Sequence, residues 1–261
     1  MTYEDLESLE VERQGAVMHV RLNRPEVRNA FNGVVVEELG RVFRQFDKDD
    51  EIRVVLLSGK GKSFSAGADL TWMAEQAQLP RAENAAGAAE MANMFLAIAR
   101  CSKPVVARIH AHALGGGTGL AASVDIALCA EETIFGLTEV KLGIVPAVIS
   151  PFVLQKIGVG RARTLFLTGE RFDGREAERI GLVHRAVPES ELDACVDATI
   201  EQLLSSGPAA IESAKKLIGT VAPLSLESAI AVTSEWIADL RATPEAREGM
   251  SAFLEKREPN W

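Results

Sequence analysis

The stretch from Ala111 to Ser150 constrains this chain more than any other. It reads AHALGGGTGLAASVDIALCAEETIFGLTEVKLGIVPAVIS, and three consecutive glycines, Gly115 to Gly117, open an Ala- and Leu-rich run of buried-helix character. Glycine-rich backbone entering a helix leaves N–H groups free to meet an anionic or polarised oxygen. Glu139 follows Gly116 by 23 residues. A glutamate near such a site is a candidate proton carrier for the carbon that the oxygen activates.

The rest of the composition narrows the class. With 261 residues, 47% of them hydrophobic, the chain has ample material for the core of one large domain, with or without an appendage. A net charge of −9 disfavours nucleic acid as the main ligand. It leaves room for a phosphorylated small ligand met by a few local basic groups. No apolar run reaches the roughly 18 residues that a bilayer span needs. The start, MTYEDLESLEVERQG, is acidic and has no apolar core of a secretion signal, so a cytoplasmic protein is expected. The cysteines, Cys101, Cys129 and Cys195, match no metal or redox spacing and read as small buried hydrophobes. His110 and His112 would share a face on a strand, but no carboxylate or thiol partners stand at ligand spacing, and no metal site is expected.

Hydrophobic periodicity predicts strands over 16–23, 52–58, 103–111 and 125–129, with a further short one over 135–139. It predicts helices over 31–46, 82–99 and 117–124. Each strand is short and each loop bears glycine, so the middle of the chain reads as repeated strand–loop–helix units on an α/β core. From Val153 onward the pattern is mostly helical, with amphipathic runs over 201–233 and 234–255. Pro208 and Pro223 break the first of these. The expected organisation is a core over 1–200 and a helical region over 201–261, with no Pro/Ser-rich linker between them.

Six segments in order carry a resemblance that covers nearly the whole chain. They are LNRPEVRNAFN (22–32), FSAGADL (64–70), KPVVARI with ALGGGTGLAASVDI (103–126), FGLTEVKLGIVP (135–146), LTGERFDGREAERIGLVHRAV (167–187) and FLEKREP (253–259). On these residues the chain resembles the enoyl-CoA hydratase/isomerase (crotonase) superfamily. The resemblance implies a spiral of ββα units with a C-terminal helical trimerisation region. It also implies an acyl-CoA substrate, no prosthetic group, and a homotrimer or a hexamer made of two trimers.

The same resemblance assigns roles. The backbone N–H groups of Ala68 and Gly116 would form an oxyanion hole for a thioester oxygen, and Glu139 would move the proton. Ala66, Asp69 and Leu70 would lie along the adenine and pantetheine of CoA, and Gly115 and Gly119 would also contact the substrate. Val27 and Arg28 would lie near the nucleotide, Arg28 standing in for a lysine that relatives carry where this chain has Glu26. Phe253 and Lys256 resemble tail residues that reach CoA. Trp72 would wall the acyl pocket. Asp125 resembles an aspartate that tethers a turn.

Two departures matter. Two-glutamate hydratases carry their other acid where this chain has Gly119, and the hydroxyl of Thr118 cannot serve as a base unaided. Gly119 is expected to open volume for a branch or a second carboxylate on the acyl chain. Second, PAVISPFV (146–153) puts bulky apolar residues where many relatives have a glycine-rich run. With AGADLTWM (66–73), this segment resembles the 3-methylglutaconyl-CoA hydratase branch, some members of which also lack the first glutamate. Lys141 is positioned to meet a distal acyl carboxylate, or else is a solvated charge. The leading expectation is a hydratase for a branched or dicarboxylic enoyl-CoA. One alternative is a Δ3-Δ2 enoyl-CoA isomerase using Glu139 alone. Another is a non-catalytic CoA- or RNA-binding scaffold, which the acidic charge and Glu139 both oppose.

Overall fold

The computed structural model describes residues 5–261. The chain opens with a hairpin, β1 (Leu9–Gln14) and β2 (Val17–Leu22), and continues through α1 (Gly33–Phe46), β3 (Val54–Gly59), α2 (Leu70–Gln78) and α3 (Arg81–Arg100). The middle runs β4 (Val105–Ile109), β5 (His112–Leu114), α4 (Gly116–Ser123), β6 (Ile126–Ala130) and β7 (Ile134–Gly136). Then follow α5 (Ser150–Thr168), β8 (Arg171–Phe172), α6 (Gly174–Arg179), β9 (Arg185–Val187) and α7 (Glu189–Leu204). Three helices end the chain, α8 (Pro208–Val221), α9 (Leu226–Arg241) and α10 (Pro244–Glu255).

The strands form two sheets, ordered β1-β2-β3-β4-β6-β9 and β5-β7-β8. All pairs in the larger sheet after β1-β2 are parallel. Each middle turn places its first strand in the large sheet and its second in the small one, then adds a helix. β4, β5 and α4 form one such turn, and β6, β7 and α5 the next. This is the spiral of ββα units that the resemblance implies, with a second strand in each turn that the pattern of strand–loop–helix units had not shown.

β3 shows why its sequence is continuously apolar. Alternate residues of a strand face opposite sides. Val55 and Leu57 enter the main core with Phe31, Leu39, Phe43 and Phe95, while Val54 and Leu56 enter a second core under α7, with Leu192, Val196 and Ile200. α7 therefore runs through the expected 200/201 boundary, and its apolar face belongs to the core. The division between core and tail falls in the break after Leu204.

Several local expectations need correction. β1 was not predicted, because its burial decreases steadily towards Gln14 and its charged residues Glu10, Glu12 and Arg13 mask any alternation. Its start is anchored by the buried Glu38 of α1, which accepts from Glu7 N at 2.7 Å and Ser8 N at 3.0 Å. His110 and His112 do not share one strand. Ala111 between them adopts φ 55° and turns the chain from the large sheet into the small one. The strand expected over 135–139 ends at Gly136, and Glu139 lies in a 3-10 turn, Thr138–Leu142. The second tail helix is broken as well, by Thr243, whose side chain caps α10 just before Pro244.

The cysteines behave as small apolar groups where they are buried. Cys101 and Cys129 are fully enclosed, and burial pushes both thiols up to about 12. Cys195 is only half-buried. One thiol per folded chain should therefore react with a disulfide reagent near pH 8, and three after unfolding. Rapid labelling of more than one in the folded protein would contradict this packing.

Candidate active site

Two loops and one turn converge on the start of α4. The loop after β3 is tied to β5 by Ser65 N donating to His112 O (3.0 Å) and Leu114 N donating to Ser65 O (3.1 Å). It is tied to the segment before α1 by Phe31 N to Gly67 O (2.7 Å) and Asp69 N to Phe31 O (2.8 Å). These bonds hold the residues on both sides of Ala68. Among the described residues, the Ala68 N–H itself has no partner.

Gly116 is the first residue of α4. Its N–H is one of the donors that a helix start leaves free, and no described residue accepts from it. The two loops touch closely. A methyl group on Gly67, where φ is 90°, would lie 2.6 Å from Leu114 O and 3.3 Å from Gly116 N. Glycine at 67 thus permits both the backbone conformation and the approach. The small side chain of Thr118 fixes the helix start. Its buried hydroxyl donates to Ala113 O (2.6 Å), with Gly136 O at 3.1 Å. That hydroxyl is structural, in line with the sequence reading that it is no base.

Glu139 reaches the same place from the third side. Its turn is closed by Ile144 N donating to Glu139 O (3.2 Å) and by Gly143 at φ 76°. Glu139 Oε1 lies 3.1 Å from where a methyl group on Gly115 would be, and Gly115 N is held by Gly136 O at 2.8 Å. Oε2 is buried with no hydrogen-bond partner among the described residues. Burial raises the carboxyl above its ordinary 4.5, opposed only by its own backbone N–H. A buried, unpaired carboxylate oxygen costs stability unless something outside the chain completes it. Two free N–H groups next to one such carboxylate suit a reaction that makes and quenches an enolate.

The remaining sequence-predicted residues fall into three groups. Ala66, Asp69, Leu70 and Trp72 lie on or just after the Gly67 loop. Ala66 N donates to Arg28 O at 2.9 Å, which brings the Val27–Arg28 turn beside it. The Asp69 carboxylate is already used, capping α2 through Thr71 N (3.0 Å) and facing Arg24 Nη2 at 3.5 Å. Trp72 is half-buried and packs on the main core. Leu70, Val27 and Arg28 are exposed. Arg28 and Arg171 both act on His112, adding to the depression that burial imposes on its pKa, so positive potential gathers at this edge. Lys141 is exposed, and Asp125 does tether a turn, accepting from Val105 N at 2.7 Å and pairing with Lys215 at 2.6 Å. Phe253, 83% exposed, and Lys256, in the left-handed cap of α10, are brought into the site by no hydrogen bond or buried contact among the described residues.

The expectation for Gly119 is overturned. A Cβ there would clash with Ile149 Cγ2 and lie 3.0 Å from Ile149 Cβ and 3.1 Å from Phe95 Cε1. The space is closed by two buried apolar side chains, so Gly119 opens no volume for a substrate branch. The sequence signal for this was the bulky PAVIS segment itself. Its partner could not be read, because the contact joins residues 30 apart. Phe31, whose ring backs Gly116, and Ser65, which backs Gly117, were also not singled out.

The family model described as enoyl-CoA hydratase/isomerase matches residues 12–261. A solved enoyl-CoA hydratase from Shewanella pealeana is 37% identical, superposes with a TM-score of 0.94, and is matched over 99% of this chain and 97% of its own. The short-chain-enoyl-CoA hydratase of Clostridium acetobutylicum is 33% identical over 97% of both chains. The carnitinyl-CoA dehydratase of Escherichia coli K12 is 35% identical over 98% of both.

Proposed function

Because the chain belongs to the enoyl-CoA hydratase/isomerase family, we propose that it is a hydratase adding water to an α,β-unsaturated acyl-CoA with Glu139 as its single acid–base group. The observation that carries this is the unpaired Oε2 of Glu139 beside the two unpaired N–H groups of Ala68 and Gly116. The thioester oxygen sits between those donors. The Glu139 carboxylate takes a proton from water as the water oxygen bonds to C3, and the C2–C3 π pair moves into the thioester as an enolate. Glu139 then returns the proton to C2. One carboxylate does both jobs, so oxygen and hydrogen add to the same face.

Coenzyme A enters as part of the substrate. The two guanidinium groups of Arg28 and Arg171, both close enough to depress His112, support a phosphate-bearing tail there. The acyl group proposed is branched or dicarboxylic, as in 3-methylglutaconyl-CoA. What supports it is the likeness of segments 66–73 and 146–153 to that branch; Gly119 lends it nothing. A homotrimer, or a pair of trimers, would cover the exposed Leu226, Ile230, Phe253 and Leu254 of the tail. Phe253 and Lys256 would then contact CoA through the assembly rather than within one chain.

One observation favours a second reading. Among the described residues no other carboxylate acts on Glu139, and a side chain at Gly119 would meet Ile149, so a Δ3-Δ2 isomerase moving one proton from C2 to C4 needs nothing further. Crotonyl-, 3-methylcrotonyl- and 3-methylglutaconyl-CoA, together with a straight-chain 3-enoyl-CoA and with products followed by mass, separate the two. Hydration adds 18 mass units and removes the enoyl absorbance, and the highest kcat/KM is expected on 3-methylglutaconyl-CoA. A shifted double bond with no gain of mass, on 3-enoyl-CoA only, would replace hydratase by isomerase.

A further inference from the structure

Phe31 stands just before Asn32, the cap of α1, and is fully buried. Its backbone forms an isolated parallel bridge with Ala68. Within that bridge Phe31 N donates to Gly67 O at 2.7 Å, and Phe31 O accepts from Asp69 N at 2.8 Å. In a planar trans peptide the carbonyl and the N–H point in opposite directions. Because Gly67 O faces Phe31, the N–H of Ala68 is turned away from it. The ring of the same residue reaches the other donor. A methyl group on Gly116 would lie 2.8 Å from Phe31 Cε2 and 3.0 Å from Cδ2, and 3.8 Å from Gly67 Cα. The ring edge is therefore packed directly on the first residue of α4. The ring itself is held by Phe95 of α3, with centroids 6.4 Å apart, and Phe95 packs in turn on Phe152 of α5 at 5.8 Å.

We propose that Phe31 is a positioning residue for the two N–H groups: its backbone orients that of Ala68, and its ring sets how far Gly116 stands from it. Donors that must meet one oxygen work best when their spacing is fixed before charge develops. A buried ring wedged between the Gly67 loop and α4 fixes that spacing. This rests on the reading of Ala68 and Gly116 as holders of the thioester oxygen.

The side-chain half of the proposal is tested with Phe31→Leu in the full-length protein. Leucine keeps the site apolar but removes Cε2, the ring atom nearest Gly116. Phe43→Leu is the control, since Phe43 is equally buried in the same core but meets Phe46 instead, at 5.4 Å. The probe is butyryl-CoA labelled with carbon-13 at the thioester carbonyl. It has no double bond to hydrate, and hydrogen bonds to its oxygen lower the carbonyl stretching frequency. The stretch should fall when the probe binds the wild type, and Phe31→Leu should lose much of that fall. On the enoyl-CoA turned over best, Phe31→Leu should lower kcat about tenfold or more, as partial loss of one such donor implies. KM should stay within about threefold, the pattern of an interaction made mainly in the transition state. Phe43→Leu should lower Tm, as Phe31→Leu does, yet keep the wild-type stretch and kcat. A folded Phe31→Leu protein with the wild-type stretch and kcat would overturn the proposal, and so would equal changes in both variants. A wild type that leaves the probe's stretch unmoved would remove the oxyanion reading itself, and the proposal with it.

Discussion

Glu139→Gln is expected to lower kcat by roughly a thousand-fold, within the range of about 10²–10⁴ that a positioned acid–base group supplies. The fold should not suffer, and the sign follows from the environment. Burial raises the folded carboxyl above its ordinary value of 4.5. The folded state thus favours the protonated form, and stability from this group is fully present below 4.5 and lost as pH rises through the folded value. At neutral pH the ionised side chain, with Oε2 unpaired, is a net cost. A neutral glutamine removes that cost, so Tm at pH 7 should be unchanged or higher. An inactive variant whose Tm falls by several degrees would mean that Glu139 holds the structure together, and its catalytic assignment would lose its force.

Gly67→Ala carries the second largest effect. Its φ of 90° is unfavourable for any side chain, and the methyl would press on Leu114 O at 2.6 Å, backbone that cannot swing aside. Relief requires the 65–69 loop and the 114–116 segment to part, and these present the Ala68 and Gly116 N–H groups. Losing one donor of this kind costs about 10²–10³ in rate, so kcat should fall roughly a hundred-fold or more, with some loss of Tm. Gly15→Ala is the control. Gly15 has φ 61° in the β1–β2 turn, with nothing within 4 Å of the added methyl. It should bear backbone strain alone and keep full activity. Equal activity in both variants would show that the closeness of the two loops does not matter to the reaction.

What the sequence made legible was local and strongly patterned. Val54–Leu57 is apolar throughout because it faces two cores, and that pattern survives without knowing either. The glycine run before α4 announces both a helix start and a close approach. Asp69 carries a local cap signal four residues before Met73, whose N–H completes the first turn to Asp69 O at 2.9 Å. β5 and β8, at three and two residues, are too short for any periodicity to register. The sequence reads Glu139 as the end of a short strand over 135–139; the 3-10 turn that aims it depends on Gly143 and Ile144 further on. The packing of Ile149 over Gly119 required knowing which helix the 146–153 segment crosses. Gly119 alone reads as space, and only the fold shows that space to be occupied.

The central claim is that one buried carboxylate, facing two free amides, does all the proton transfer. The pH dependence of kcat/KM tests it most directly. With Glu139 needed as the carboxylate, activity should be lost at low pH and rise through one carboxylate ionisation, with its midpoint above 4.5, to a plateau near neutrality. A bell-shaped profile framed by two carboxylate ionisations, or a profile flat from pH 4 to 7, would contradict it.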